Sequence, residues 1–486
     1  LHIRKFEGNL VTNNDNINKG YIMKTKIAFL MSAMALAIST PMAFATNGYF
    51  THGVGSHNKA QAGAGLAAPS QAIDAANNPA SALLIDDQSN AGLSVFSPRR
   101  THSASASMAQ GNGGAFSITT QGEQESGSNY FPIPYYATKW TLGDDSALAF
   151  TFYGRGGMNT DWSGGSVNFD MNGDNVADGP FPGTYGAGDA GVDLMQAYIE
   201  LAYAKRLSDS LVVGIAPVVV IQAFEATGLN NFAPYTKQFV QTFMATGDQM
   251  AAFGSVDSLT GNGHEYSTGL GIKIGANFEL SDTVSVALAY QPKISMSEFD
   301  DYASLFADGG SFDIPASARV GISFQASPNV TLHVDGEKID YSGVASVSNS
   351  GLNLYQCPTA GLGGMNMEAC LGGKQGAGFG WDDMSVVKLG ATWTMDSMPG
   401  TTFRAGFSSG SGPIDNKEVL FNILAPGVME QHFTFGFARD MGEGSEWGVT
   451  VMYAPEETVS GTSMFDPTQT INISMKQYDV EFYYTW

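Results

Sequence analysis

Three cations set in alternating segments are the side chains best placed to meet an anion: Arg319, Lys388 and Arg404. In Val386-Val387-Lys388-Leu389-Gly390-Ala391-Thr392-Trp393, Lys388 falls on the face opposite Leu389 and Trp393, because successive side chains of a strand point to opposite sides. Arg404 sits between Phe403 and Ala405, with Phe407 beyond, and the same alternation turns it, like Arg319, away from the bulky face. Thr331-Leu332-His333-Val334-Asp335 puts His333 and Asp335 on that inner side. An unpaired charge is costly in an interior, so Asp335, Glu337, Asp479 and Glu481 are the expected counter-charges. Such cations have two uses. They can hold a filling element in place, or they can receive the carboxylate of a ligand.

Other stretches offer different chemistry. Asp170, Asn172, Asp174 and Asp178 place side-chain oxygens at relative positions 1, 3, 5 and 9 of a calcium loop. The pattern departs where Asn175 replaces the usual Gly and where Phe181 replaces the bidentate acid. The expectation is a weak structural Ca²⁺ site or an ion-free acidic turn. Residues 234–253 carry helical periodicity, with Tyr235, Phe239, Phe243 and Met244 on one face. That face could meet a greasy ligand, since Phe and Met adapt readily in contact, or it could pack on a neighbouring loop. Gly406-Phe407-Ser408-Ser409-Gly410 satisfies G-x-S-x-G, but the hydrolase elbow needs a strand-to-helix turn, which alternating segments do not supply. Gly63-Ala64-Gly65 has no preceding strand, as a dinucleotide loop would require.

The elements that carry these residues are strands. Short polar turns at residues 142–145, 207–210, 280–283, 326–329, 396–400 and 440–444 each separate two alternating runs, and their composition is that of tight hairpins. Much longer loops lie between successive pairs. Short turns at one end and long loops at the other is the construction of a transmembrane barrel. Six such turns, with both chain ends on the same side, imply about fourteen strands. In Val284-Ser285-Val286-Ala287-Leu288-Ala289-Tyr290 the large residues face lipid and the small ones face inward. The chain closes on Tyr478-Asp479-Val480-Glu481-Phe482-Tyr483-Tyr484-Thr485-Trp486, another two-faced strand ending in an aromatic residue. That ending resembles the insertion signal of bacterial outer-membrane barrels.

Composition agrees with a barrel. Of the 486 residues, 43% are hydrophobic and only 14% charged, a mixture that lipid-facing strands resolve. The net charge of −23 argues against nucleic acid as a partner, which needs clustered Lys and Arg. Met23 opens a basic n-region, an apolar run from Ile27 to Ile38, and Ala43-Phe44-Ala45 as a cleavage site. Residues 23–45 therefore read as a secretory signal and residues 1–22 as upstream sequence outside the mature chain. In an exported protein Cys357 and Cys370, the two cysteines present, are expected to form a disulfide. Closing so short a loop contributes at most roughly 3 kcal/mol.

Residues 46–88 do not alternate and are rich in Ala, Gly and Asn. A segment of small side chains can fill a narrow lumen, and Pro79 holds Asn78 out of helix. This stretch and the triplet Asn78-Pro79-Ala80 resemble the N-terminal hatch of the FadL/TodX-type outer-membrane transport family. VALAYQPK (286–293), IPASARVGISF, EKIDYS, WDDMSVVKLGATW and FRAGF follow in an order that extends the resemblance over most of the mature chain. It implies an all-β, transmembrane antiparallel barrel of about fourteen strands (89–486) plugged by a hatch (46–88), in the outer membrane and monomeric. In that family the third strand is kinked and opens the wall sideways; here Gly154, Gly156 and Gly157 break its alternation. The implied function is passive transport of long-chain fatty acids or other hydrophobic molecules. The ligand-contact candidates are Phe239, Phe243, Met244, Arg319, Lys388 and Arg404, with no catalytic residues and no cofactor beyond structural calcium. The other classes left open are an adhesive or structural barrel and a barrel hydrolase.

Overall fold

The computed structural model describes residues 46–359 and 363–486. The expected signal, residues 23–45, and the upstream residues 1–22 lie outside them. Fourteen strands form a closed antiparallel barrel: β1 (Ser89–Ala104), β2 (Phe131–Gly143), β3 (Ser146–Trp162), β4 (Ala190–Ser208), β5 (Leu211–Thr227), β6 (Glu265–Ser281), β7 (Val284–Gln291), β8 (Ala316–Ser327), β9 (Val330–Asp340), β10 (Met384–Thr394), β11 (Thr401–Gly410), β12 (Gln431–Gly442), β13 (Ser445–Thr462) and β14 (Thr470–Thr485). Each pairs with its neighbours in sequence, and β14 closes on β1 from Ile471–Ala104 to Thr485–Asn90. A wall closed on itself lets neighbouring strands satisfy most of its backbone groups, as a lipid environment requires. Among the described residues no helix is long and apolar enough to cross a membrane.

The turns behave as their residues dictate. Two residues join β2 to β3, β4 to β5, β6 to β7, β8 to β9 and β12 to β13, while six join β10 to β11. The outer surface follows the alternation: Leu288 and Tyr290 are exposed while Ala287 and Ala289 are buried. On β14, Tyr478, Val480, Phe482 and Tyr484 are exposed, as is Trp486 just after it, and Asp479, Glu481 and Tyr483 are buried.

The long loops fold over the opposite end of the barrel. Residues 237–246 and 249–255 form helices α2 (Lys237–Thr246) and α3 (Gln249–Ser255), α1 being the hatch helix Ser56–Ala60. The periodic stretch 234–253 is thus two helices rather than one. Gly247, at φ 65°, ends α2, and Asp248 begins α3 by accepting from the amides of Met250 and Ala251, the usual left-handed C-cap and Asp N-cap. Cys357 and Cys370 are disulfide-bonded in the loop between β9 and β10. A three-stranded sheet of residues 117–119, 166–169 and 178–182 covers another part of this end.

Candidate functional site

The hatch occupies the lumen and has little secondary structure of its own. Its backbone therefore needs partners elsewhere, and the wall supplies many of them. Lys273 donates to Ala76 O (2.6 Å), Arg319 to Gly63 O (2.5 Å), Lys388 to His52 O (2.8 Å) and Thr434 to Ala60 O (2.8 Å). Tyr341 donates to Asn47 O at 2.6 Å and accepts from Tyr49 N at 3.1 Å. Asp335 accepts from the amides of Gly65 and Leu66. In return Lys59 of the hatch bridges Asp479 (3.0 Å) and Glu481 (2.6 Å) of β14. Arg319 and Lys388 thus hold hatch carbonyls, and two of the four expected counter-charges meet a hatch lysine.

Asn78 is extended (φ −150°, ψ 115°) and caps the turn Pro79–Leu83, its Oδ1 accepting from Ala80 N. Its amide donates to Ala276 O of β6. The triplet rests on Gly214 and Gly275, where any Cβ would overlap the Pro79–Ala80 peptide or the Asn78 side chain. Gly390 and Gly406 form a second such seat, against Gln61, Ala62 and Ala64.

The wall is incomplete at one place. β2 pairs with β3 only as far as Tyr135–Tyr153, whereas β3 continues to pair with β4 as far as Trp162–Ala190. In the β3–β4 ladder Gly154 faces Ala197 and Gly156 faces Gln196, so Arg155 is a bulged residue with no partner opposite, as the glycines allow. The hatch start fills the resulting gap: Phe50 pairs with Gly156, and Gly157 N donates to Tyr49 O at 3.1 Å. Freed from the ladder, Arg155 crosses the lumen to Gln291 (3.0 Å), Ser317 (2.9 Å) and Glu337 (3.5 Å), and its guanidinium stacks 4.5 Å from the Phe50 ring centre.

Among the described residues, cavities lie at three levels between loops, hatch and wall. Under the loops is an apolar one of about 560 Å³, lined by Val192, Phe224, Phe306, Phe379, Phe421 and Leu424 among others, with Ser346 its polar exception. A second, about 330 Å³, lies against the gap and includes Gly157, Met158, Trp381 and Met475. A third, about 390 Å³, lies between hatch and wall. Its charged lining is Arg155, Lys273, Arg319 and Lys388 against Glu337. Glu337 lies 2.6 Å from Lys388, and Lys273 2.6 Å from Glu200.

Phe239, Phe243 and Met244 line none of these three cavities. Phe239 is buried beside Val240, Ala252 and the disulfide, and its ring lies 4.9 Å from that of Phe253; Phe243 and Met244 are exposed on the loop surface. Arg404 is buried on the inner face of β11, outside the cationic cavity. The oxygens of Asp170, Asn172, Asp174 and Asp178 accept from backbone amides within the 170–178 turn. Among the described residues no group of three or more His, Cys, Asp or Glu residues is arranged to hold a metal ion. Ser408 Oγ lies 3.2 Å from His432 Nδ1 across the β11–β12 ladder, but His432 Nε2 has no partner, so no third group orients that imidazole.

Sequence reasoning missed Arg155, Lys273 and Glu200, and it missed the apolar cavity. The arginine was within reach, since a cation between strand glycines (Gly154, Gly156) signals a bulge that frees it. The cavity lining was not, because its residues come from several loops far apart in the chain.

The sequence matches the family "Outer membrane protein transport protein (OMPP1/FadL/TodX)" over residues 33–437. No curated protein sequence matches it. Its fold is similar to the Pseudomonas putida toluene transporter TodX, at 15% identity and TM-score 0.57, covering 89% of this chain and 98% of that one. A Pseudomonas aeruginosa FadL homologue is similar at 14% identity and TM-score 0.58, covering 90% and 98%. The Ralstonia pickettii toluene transporter TbuX is similar at 15% and 0.51, covering 89% and 98%. With a closed fourteen-strand wall, a hatch inside it and a family match running from before the hatch into β12, the chain belongs to the OMPP1/FadL/TodX family of outer-membrane transport proteins.

Proposed function

We propose that this protein admits hydrophobic small molecules by passive diffusion and releases them sideways through the wall between β2 and β3. A molecule enters the apolar cavity under the loops, where removing each CH₂ from water contributes about 0.8 kcal/mol. It passes to the cavity beside Trp381 and Met158, and leaves when the Tyr49–Phe50 segment moves away from β3. The observation that carries this reading is the stretch of β3 beyond Tyr153 that β2 does not pair, with a cavity directly behind it. The hatch blocks the straight route to the other side through its many bonds to the wall.

Lys273, Arg319 and Lys388 hold hatch carbonyls in the closed state, so the cationic cavity favours a substrate with an anionic head, for which long-chain fatty acid is the simplest example, once the hatch moves and frees those donors. A carboxylate is held by charge-assisted donors, and Arg155, Lys273, Arg319 and Lys388 face this space. The test is uptake of labelled oleate, and separately of toluene, by cells with and without the gene, repeated with the proton gradient collapsed. Gene-dependent oleate uptake that survives the collapse is expected. Uptake of both compounds that is independent of the gene would overturn the reading.

A further inference from the structure

Arg99 of β1 and Lys476 of β14 are directly opposite one another in the ladder. Like charges in that position repel, and both side chains are partly exposed. Their height on the wall is defined by their neighbours. The outward residues of β14 from Trp486 to Tyr478 are apolar and exposed. At about 3.3 Å per residue and a tilt of roughly 40° they span roughly 20 Å, most of the apolar band of such a barrel. Tyr453 and Tyr478, with rings 5.4 Å apart, end that band, as aromatic girdles do at the interface. Lys476 is the next outward residue above Tyr478, and Arg99 is level with it. The cation pair therefore sits at the headgroup level of the leaflet beneath the loops.

The surroundings restrain the two cations. The Arg99 guanidinium lies 4.9 Å from the centre of the Tyr130 ring and donates to its hydroxyl at 2.6 Å, fixing its plane. Glu125 lies 3.5 Å from Arg99 and Glu456 3.2 Å from Lys476, each carboxylate side chain 57% exposed. Exposed pairs of this kind hold weakly, so a better acceptor can take the donors. Arg matches phosphate oxygens with a planar fork and Lys adds a point charge. In a chain of net charge −23, two adjacent outward cations at this height are out of keeping with the general acidity.

We propose that Arg99 and Lys476 clamp a phosphate of a phosphorylated glycolipid in the outer leaflet, anchoring the β14–β1 face of the barrel. The test uses the full protein in nanodiscs and native mass spectrometry of retained lipid, comparing a bis-phosphorylated glycolipid with its dephosphorylated form. The wild type is expected to retain the phosphorylated form about tenfold better, and Arg99→Gln/Lys476→Gln to lose that preference. Lys338→Gln, an outward cation elsewhere on the wall, is expected to leave it unchanged. Equal retention of the two glycolipids by the wild type, which needs no variant to fold, would overturn the proposal. So would an unchanged preference in a double variant whose heat-modifiable gel migration shows a folded barrel. Full displacement of the glycolipid by inorganic phosphate would assign the pair to a free anion and equally overturn it.

Discussion

Gly214 of β5 and Gly275 of β6 face each other directly across the ladder, and the space left by their missing side chains is the seat of Asn78-Pro79-Ala80. The hatch and the wall are matched at this point by subtraction. Two glycines in a strand interior weaken it, and the close approach of the triplet is what their absence of side chains permits.

A valine at either position should unseat the hatch without breaking the barrel. Overpacking costs about 1–3 kcal/mol, and the hatch is held by fewer bonds than the closed wall. Gly275→Val is expected to make residues 46–88 protease-sensitive while heat-modifiable migration persists. Deleting Asn78 to Ala80 should alter uptake in the same way. Normal uptake by the deletion strain would remove the triplet from the transport path.

The gap between β2 and β3 can be locked. Phe50 and Gly156 are cross-strand partners, so the Phe50→Cys/Gly156→Cys variant should form a bond that pins the hatch start to β3. Uptake should fall several-fold when oxidised and recover with reductant. Filling Gly154, Gly156 and Gly157 with Val should slow uptake as well, Gly156→Val by meeting the Gln196 side chain. Unchanged rates in both would place the exit elsewhere.

Lys59 lies between Asp479 and Glu481, and Ser56 also donates to Glu481. Removing one partner from a buried ion pair costs about 3–5 kcal/mol, because the others remain charged and unpaired. Lys59→Met is expected to destabilise the hatch by that order in denaturant titrations of the micelle-bound protein. Lys59→Met/Asp479→Asn/Glu481→Gln should recover most of the loss.

His264, in the loop before β6, faces Asp193 Oδ2 with Nε2 and Glu225 Oε2 with Nδ1, both at 3.0 Å. The hydrogen bond to Asp193, joined by the charges of Asp193 and Glu225, raises its pKa above the usual value despite some burial. A raised folded pKa means that this stabilisation is complete below the unfolded value of about 6.5 and is lost as pH rises through the folded value. Proteolysis near residue 264 should therefore be slower at acid than at alkaline pH. His264→Gln should abolish the difference.

The apolar cavity under the loops offers a direct test of ligand entry. Ala377→Phe projects a ring into a space lined by Phe224, Phe306 and Leu371 and should lower uptake several-fold. Phe243→Ala alters a side chain that does not line it and should have little effect.

The architecture was legible before any coordinates. Alternation at Val284–Tyr290 and Thr331–Asp335 sorts lipid-facing from inward residues because a strand has a period of two and this wall separates two solvents. Turn chemistry marks where the wall reverses, so six turns were enough to count the strands. The small-residue composition of 46–88 suits a filling element, and its resemblance to the family's hatch names it as one, although Tyr49, Phe50 and Lys59 also lie buried inside the wall. Arg319 and Lys388 were legible as inward cations from the strand alternation. Their partners were not. Whether they meet a carboxylate, a ligand or a hatch carbonyl depends on which strands lie across the lumen, and Lys388 meets both Glu337 and His52 O.

The residues alone, then, determined a two-faced closed wall and its strand number, because these follow from local period and turn type, while the plug came from the resemblance of residues 46–88 to the family's hatch. Only the tertiary structure decided where the wall fails to pair, that Arg155 is released across the lumen there, that Gly214 and Gly275 coincide beneath Asn78-Pro79-Ala80, and that loop residues far apart in sequence enclose an apolar cavity. Each of these is a coincidence in space between distant segments, set by ladder register and loop packing, for which a one-dimensional pattern carries no term.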